Sequence, residues 1–180
     1  MLRLEETGQT LIETVIGKLR EAGLEPGLVV ANNPEEYRFL GLTVEKDIVP
    51  DCGPLGGILT ALVVTQQPRV FVVACDMPLL CPPLIRYMAT LPDEEDALVP
   101  RWIDDHQTRR VEALHAVYSS RCIEPLRLAL AEGRRKAGAF LNEVNTRYLG
   151  AELRQFDPTF ACFRNLNTPE DLLIHANADQ

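Results

Sequence analysis

The chain has 180 residues, enough for one ordinary domain and not for two. Hydrophobic residues at 46% and charged residues at 24% exclude wholesale disorder. The net charge of −8, from 18 basic and 26 acidic residues, argues against generic binding to nucleic acid or an anionic membrane. An anionic small molecule then needs a local basic loop, a helix N-terminus or a bound cation.

No apolar run approaches the ~20 residues of a membrane span. The opening MLRLEETGQT has no basic segment followed by an apolar one, so it does not read as a secretion signal. The five cysteines (Cys52, Cys75, Cys81, Cys122, Cys162) are odd in number and form no C-x-x-C pair. Reduced thiols in a cytoplasmic protein are expected, not a disulfide framework or a zinc site.

In chain order, Thr10 to Ala22 reads as a helix. Leu11, Val15 and Leu19 make its stripe, Thr10 and Glu13 a capping box, and Gly23 the stop. Leu28 to Ala31 is a short apolar run expected as a strand buried on both faces. A turn at Asn32-Asn33-Pro34, a short helix and a strand at Thr43 to Lys46 follow. Leu55 to Gln66 is a helix entered through Cys52-Gly53-Pro54. Arg69 to Ala74 (RVFVVA) is the clearest buried strand, ending in Cys75-Asp76-Met77-Pro78. Then come a helix near Pro83 to Leu91, a strand at Ala97 to Arg101, a polar loop from Asp104 to Arg110, and a strand at Glu112 to Tyr118. Helices near Ile123 to Glu132 and Ala139 to Val144 precede a last helix opening at Thr168-Pro169-Glu170-Asp171. Alternating strands and helices predict a mainly parallel sheet with helices on both faces.

Three places carry candidate chemistry. In open α/β sheets, ligands bind beyond the carboxyl ends of the strands. Asp76, just past RVFVVA, can hold a divalent cation against phosphates there, or merely cap a turn. Gly53-Pro54-Leu55-Gly56-Gly57 sets glycines around a helix start, allowing close approach of a ligand to the backbone or only tight packing. It is neither G-x-G-x-x-G nor a Walker loop. Asn165 and Asn167 precede a helix start and suit a cation or ordinary capping. His115 is expected to be a satisfied, partly buried residue. His106 and His175 lie in a polar loop and on the last helix. Arg134-Arg135-Lys136 and Arg109-Arg110 are the dense basic spots.

Taken in order, DIVPDCGPLGGI, VFVVACDMPLL, EALHAVYSS, EGRRKAGAFL and NLNTPEDL closely resemble the molybdenum cofactor guanylyltransferases. The resemblance runs from about Leu2 to Leu173. It implies a three-layer α/β/α Rossmann-like nucleotidyltransferase fold over a single domain, 1–180. It also implies transfer of GMP from GTP to the phosphate of molybdopterin, releasing pyrophosphate. By motif, Asp76 is implied to bind Mg2+. Asp47 and Asn32-Asn33 match nucleotide-contacting positions, and Gly53 and Pro54 line the base and ribose pocket. Asn165 and Asn167 lie near the metal and the acceptor phosphate, and Arg134 and Arg135 flank the molybdopterin side. The implied setting is a monomer or weak oligomer in contact with molybdoenzyme maturation proteins.

Members of that family begin with a buried strand and a loop of the form L-A-G-G-x-S-x-R-M-G-x-x-K, which the 180 residues do not contain. The domain is therefore expected to be N-terminally incomplete, with its first strand missing. Neighbouring strands should show unpaired edges and exposed apolar faces. These residues alone are expected to bind GTP weakly and to be poorly soluble. A sibling enzyme using CTP, another small nucleotidyltransferase, or a non-catalytic cofactor-binding protein are the competing readings.

Overall fold

The computed structural model describes residues 8–104, 106–166 and 171. Helix α1 (Leu11–Glu21) starts as its sequence dictates. The Thr10 hydroxyl accepts from the Glu13 N–H, and the Glu13 carboxylate accepts from the Thr10 N–H at 2.8 Å. Its apolar stripe, Leu11, Ile12, Val15, Ile16 and Leu19, is buried. Strand β1 (Leu28–Val30) pairs in parallel with β2 (Thr43–Glu45), joined by a 3-10 helix at Pro34–Leu40. Helix α2 spans Gly53–Thr65, starting two residues earlier than its apolar run suggests because Pro54 fits the first turn.

The larger sheet holds β3 (Arg69–Val73), β4 (Ala97–Ile103), β5 (Arg109–Val111), β6 (His115–Ser119) and β7 (Thr146–Leu149). Strands β3, β4 and β7 run the same way; β7 pairs in parallel with β4. Strand β6 lies antiparallel between β3 and β4, and β5 is antiparallel to β4. The sheets are thus more mixed than the alternating pattern suggests, with three of the five pairings antiparallel. The cause is local: the chain turns back directly after β4 with no crossover helix. Strands β5 and β7 were not foreseen. The first lies in the polar loop, and the second is a half-polar run, TRYL.

Helices cover both faces. On one, α2 and α4 (Ile123–Ala131) bury Leu55, Ile58, Leu62 and Leu126 against Val99, Ala116 and Tyr118. On the other, Leu84 and Met88 of α3 (Pro82–Thr90) pack on Leu98, Val117 and Leu149, with Phe163 of a 3-10 turn. Side chains alternate between the two clusters along β4 and β6, as the pleat requires. Arg86 of α3 donates to the Glu21 and Ala22 carbonyls (2.7 and 3.3 Å), capping the end of α1. A short helix α5 (Ala137–Phe140) precedes β7, shifted towards the N-terminus from the expected Ala139 to Val144.

Among the described residues no ladder joins β1 to β3. A cleft of about 860 Å³ separates them, lined by Ile16, Leu19, Val29, Val70, Val72 and Ala61 among others. Both strands are accordingly only half-buried, where the sequence suggested full burial. Among the described residues the β1 and β3 edges that face the cleft are unpaired, and its walls are largely apolar. The last helix at Thr168-Pro169-Glu170 and His175 lie outside the described residues.

Candidate active site

The cleft reaches the carboxyl end of β3, and there it brings together Asp47, Gly53, Pro54 and Asp76. These residues come from the β2–α2 connection, the start of α2 and the loop after β3. The Asp76 carboxyl has one oxygen, Oδ1, buried without a hydrogen-bond partner. Burial holds its pKa above the ordinary carboxylate value. No Lys or Arg forms an ion pair with it among the described residues, although eleven ion pairs occur elsewhere. Leaving such an oxygen unpaired is costly unless something else binds it. This is chemistry that suits a hard cation: a single carboxylate, with the remaining positions left for water and phosphate oxygens. Among the described residues no three His, Cys, Asp or Glu side chains form a closed metal cage.

Asp47 is held at the other wall. Thr60 Oγ accepts from the Ile48 N–H (3.0 Å) and lies 2.8 Å from the Gly56 carbonyl and 3.4 Å from Asp47 Oδ1. The hydroxyl has one proton, and the shorter contact takes it. The Asp47 carboxylate is left to accept donors from the cleft, and burial raises its pKa. Gly53 adopts φ 57°, a left-handed conformation that favours glycine, and this turns the chain into α2. A Cβ on Gly56 would meet Cys52 Cβ at 3.1 Å and the Val49 carbonyl at 3.3 Å, so the turn carrying Asp47 packs directly on the helix start.

The other sequence-selected residues fall around this centre. Asn165 is exposed and lies one residue before Leu166, whose N–H donates to the Asp76 carbonyl at 2.8 Å. Asn167 lies outside the described residues. Asn32 and Asn33 are exposed just after β1, and the Asn33 amide donates to Glu36 (3.1 Å). Arg134 pairs with Glu132 (2.7 Å) and with Glu143. Arg135 donates to the Asp51 carbonyl, tying its loop to the entry of α2.

His115 departs from its expected satisfied, partly buried state. It is fully buried, and neither ring nitrogen has a hydrogen-bond partner. Its ring packs edge-on against Phe71 and Phe163 at centroid distances of 5.3 and 5.0 Å. Burial pushes its pKa down to about 3, so it serves as a neutral aromatic and not as a proton carrier. Glu112 was not foreseen as a site residue. Burial, and to a lesser degree the charge of Asp76, hold its pKa above the ordinary carboxylate value.

The family model for the MobA-like NTP transferase domain matches residues 1–148. A probable molybdenum cofactor guanylyltransferase from Pelotomaculum thermopropionicum is 36% identical over 94% of this chain and 80% of that protein. The chain belongs to the MobA-like NTP transferase family. A second probable molybdenum cofactor guanylyltransferase, from Chloroflexus aggregans, is 34% identical with the same coverage of both chains. The crystal structure of molybdopterin-guanine dinucleotide biosynthesis protein A from Archaeoglobus fulgidus superposes with a TM-score of 0.77 at 26% identity. The match covers 99% of this chain and 90% of that one. A 2-C-methyl-D-erythritol 4-phosphate cytidylyltransferase from Thermus thermophilus shares the fold, with a TM-score of 0.70 at 16% identity over 96% of this chain and 91% of that one. Enzymes of this family are nucleotidyltransferases that work with a divalent metal. No helix among the described residues is long and apolar enough to cross a membrane.

Proposed function

We propose that this MobA-like NTP transferase moves GMP from GTP to the terminal phosphate of molybdopterin in the cytoplasm, with Mg2+ bound at Asp76. The observation that carries the reading is the buried, unpartnered Oδ1 of Asp76, placed at a strand end in the cleft that also holds Asp47, Gly53 and Pro54. The five free cysteines agree with a reducing compartment.

The guanine ring lies against Gly53 and Pro54, where the backbone comes close to the ligand. Guanine presents two adjacent donors, N1–H and N2–H, and the Asp47 carboxylate takes both. Cytosine has no such donor pair, so Asp47 selects GTP over CTP. Asn32 and Asn33 border the nucleotide from the end of β1. Asn165 is near the acceptor phosphate, with Arg134 and Arg135 flanking the molybdopterin side.

The nucleophile is an oxygen of the acceptor phosphate. It forms a bond to the α-phosphorus of GTP as the bond from that phosphorus to the pyrophosphate oxygen breaks. The attacking oxygen is already anionic, so no side chain has to remove a proton. The site contributes positioning and charge neutralisation. Mg2+, when bound, screens the repulsion between the two phosphate groups. That division of labour agrees with a buried His115 that takes no part. The wide cleft leaves the triphosphate few partners among the described residues, so weak GTP binding is expected and assays need millimolar GTP. Product analysis with GTP or CTP, Mg2+ and molybdopterin tests the reading. Guanine dinucleotide product supports it, and exclusive use of CTP overturns the nucleotide assignment.

A further inference from the structure

Strands β5 and β6 lie on the same edge of β4, but they are not one continuous strand. Arg101 is opposite Val111 and Leu98 is opposite Val117. Two residues of β4 therefore face five of the returning chain, and the excess is taken up by a bulge around Glu112, Ala113 and Leu114. Bulges break the ladder and leave backbone groups that need other partners.

Here those groups are accounted for one by one. The Glu112 N–H donates to the Pro100 carbonyl (3.1 Å). The Ala113 carbonyl accepts from the buried Tyr118 hydroxyl (2.8 Å). The Leu114 N–H donates to Oε1 of Glu112 (2.9 Å). The Leu114 carbonyl accepts from the Ala74 N–H (3.0 Å), the last contact of the β3 chain before Cys75 and Asp76. One side chain thus holds the N–H of Leu114, and the carbonyl of the same residue, in the next peptide group, holds the end of the chain leaving β3.

Glu112 is an unusual choice for that task. It is a half-buried carboxylate without an ion pair among the described residues. A residue chosen only to fill the bulge would avoid burying a charge. The hydrogen bond to Leu114 needs a side-chain acceptor at this position.

We propose that Glu112 is a positioning residue for the transfer reaction, acting through the two peptide groups that flank Leu114 and the Ala74 N–H to set the place of Asp76. This rests on Asp76 standing at the reacting centre. The proposed chain predicts an unequal pair of variants. Glu112→Gln keeps an acceptor at the same reach and loses the charge. Glu112→Ala loses both the charge and the acceptor.

The test measures both variants, with Asp76→Ala beside them, for kcat, KM for GTP, melting temperature and amide exchange of Ala74 and Leu114. E112A is expected to lose about 10- to 100-fold in kcat, the cost of a small misplacement, while its KM for GTP stays within ~2-fold. Its Ala74 and Leu114 amides should exchange ~10-fold faster or more, through local opening. E112Q should stay within ~3-fold of the unaltered protein on every readout, since its amide oxygen accepts the same bond. Two results overturn the proposal: full kcat and protected amides in E112A, or E112Q impaired with Ala74 still protected. Full activity in D76A sinks the reading of Asp76 instead, and the exchange pattern still decides whether the clamp exists.

Discussion

The Leu166 N–H donates to the Asp76 carbonyl at 2.8 Å. Ninety residues apart in sequence, the strand end that carries the carboxylate and the segment that carries Asn165 are joined through their backbones. Leu166 is buried, so the joint is anchored by packing as well as by the hydrogen bond. Its neighbour Asn165 is exposed one residue before that joint.

That placement sets a first prediction. Asn165→Ala should leave the fold and the KM for GTP unchanged. It should lower kcat/KM for molybdopterin by about 10-fold, the effect of losing one hydrogen bond to a charged group. Steady-state kinetics with each substrate varied in turn checks this.

Asp76 sets a second, on stability. Its pKa in the folded protein lies above its ordinary value of 3.8 because burial disfavours the charged form. The folded state therefore holds this proton more tightly than the unfolded chain. The associated stability is present below pH 3.8 and is lost as pH rises through the elevated folded value. Asp76→Asn removes that loss. In EDTA at neutral pH the variant should be the more stable protein by urea unfolding, and the difference should vanish on acidification below about pH 3.8.

His115 predicts the opposite trend. Its pKa is depressed from 6.5 to about 3, so the unfolded chain takes up a proton that the fold refuses. Stability falls as pH drops from 6.5 towards 3. His115→Phe keeps an aromatic ring between Phe71 and Phe163 and removes this proton. Urea midpoints measured from pH 7 to pH 4 should fall less steeply in the variant.

Two adjacent glycines should behave differently. Gly56→Ala forces a methyl group to 3.1 Å from Cys52 Cβ and 3.3 Å from the Val49 carbonyl, both in packed surroundings. It should cost about 1–3 kcal/mol through overpacking. Gly57→Ala brings its methyl only to 3.8 Å from Asp47 Oδ1, an ordinary contact, so the melting temperature should hold. The added group faces the nucleotide cleft, and the KM for GTP should rise. Thermal unfolding and GTP titration separate the two effects.

Local signals in the sequence foretold much of this molecule. The Thr10–Glu13 capping box, the short α2 entry and the strand ending at Cys75-Asp76 depend on neighbours a few residues away, and all three are found. Asp47, Gly53 and Pro54 were chosen from one motif and Asp76 from another, and one cleft gathers them. What escaped depends on distant pairing. β7 is a polar-looking strand held by β4, and the bulge at Glu112 exists only because β4 imposes two registers. His115 was misjudged because alternation reveals which face a residue takes but not whether a hydrogen-bond partner waits there. Arg134, assigned to the molybdopterin side, already carries two acidic neighbours that its sequence run does not advertise.

The most direct test of the central claim is the transfer reaction itself, with and without the carboxylate. Protein, millimolar GTP, Mg2+ and molybdopterin are incubated, and the guanine dinucleotide product and pyrophosphate are quantified together. The account predicts equimolar product and pyrophosphate. In Asp76→Ala the rate should fall by about 10²–10³-fold, as when one group stabilising transition-state charge is removed, with melting unimpaired. Equal rates in the unaltered protein and in Asp76→Ala would contradict it.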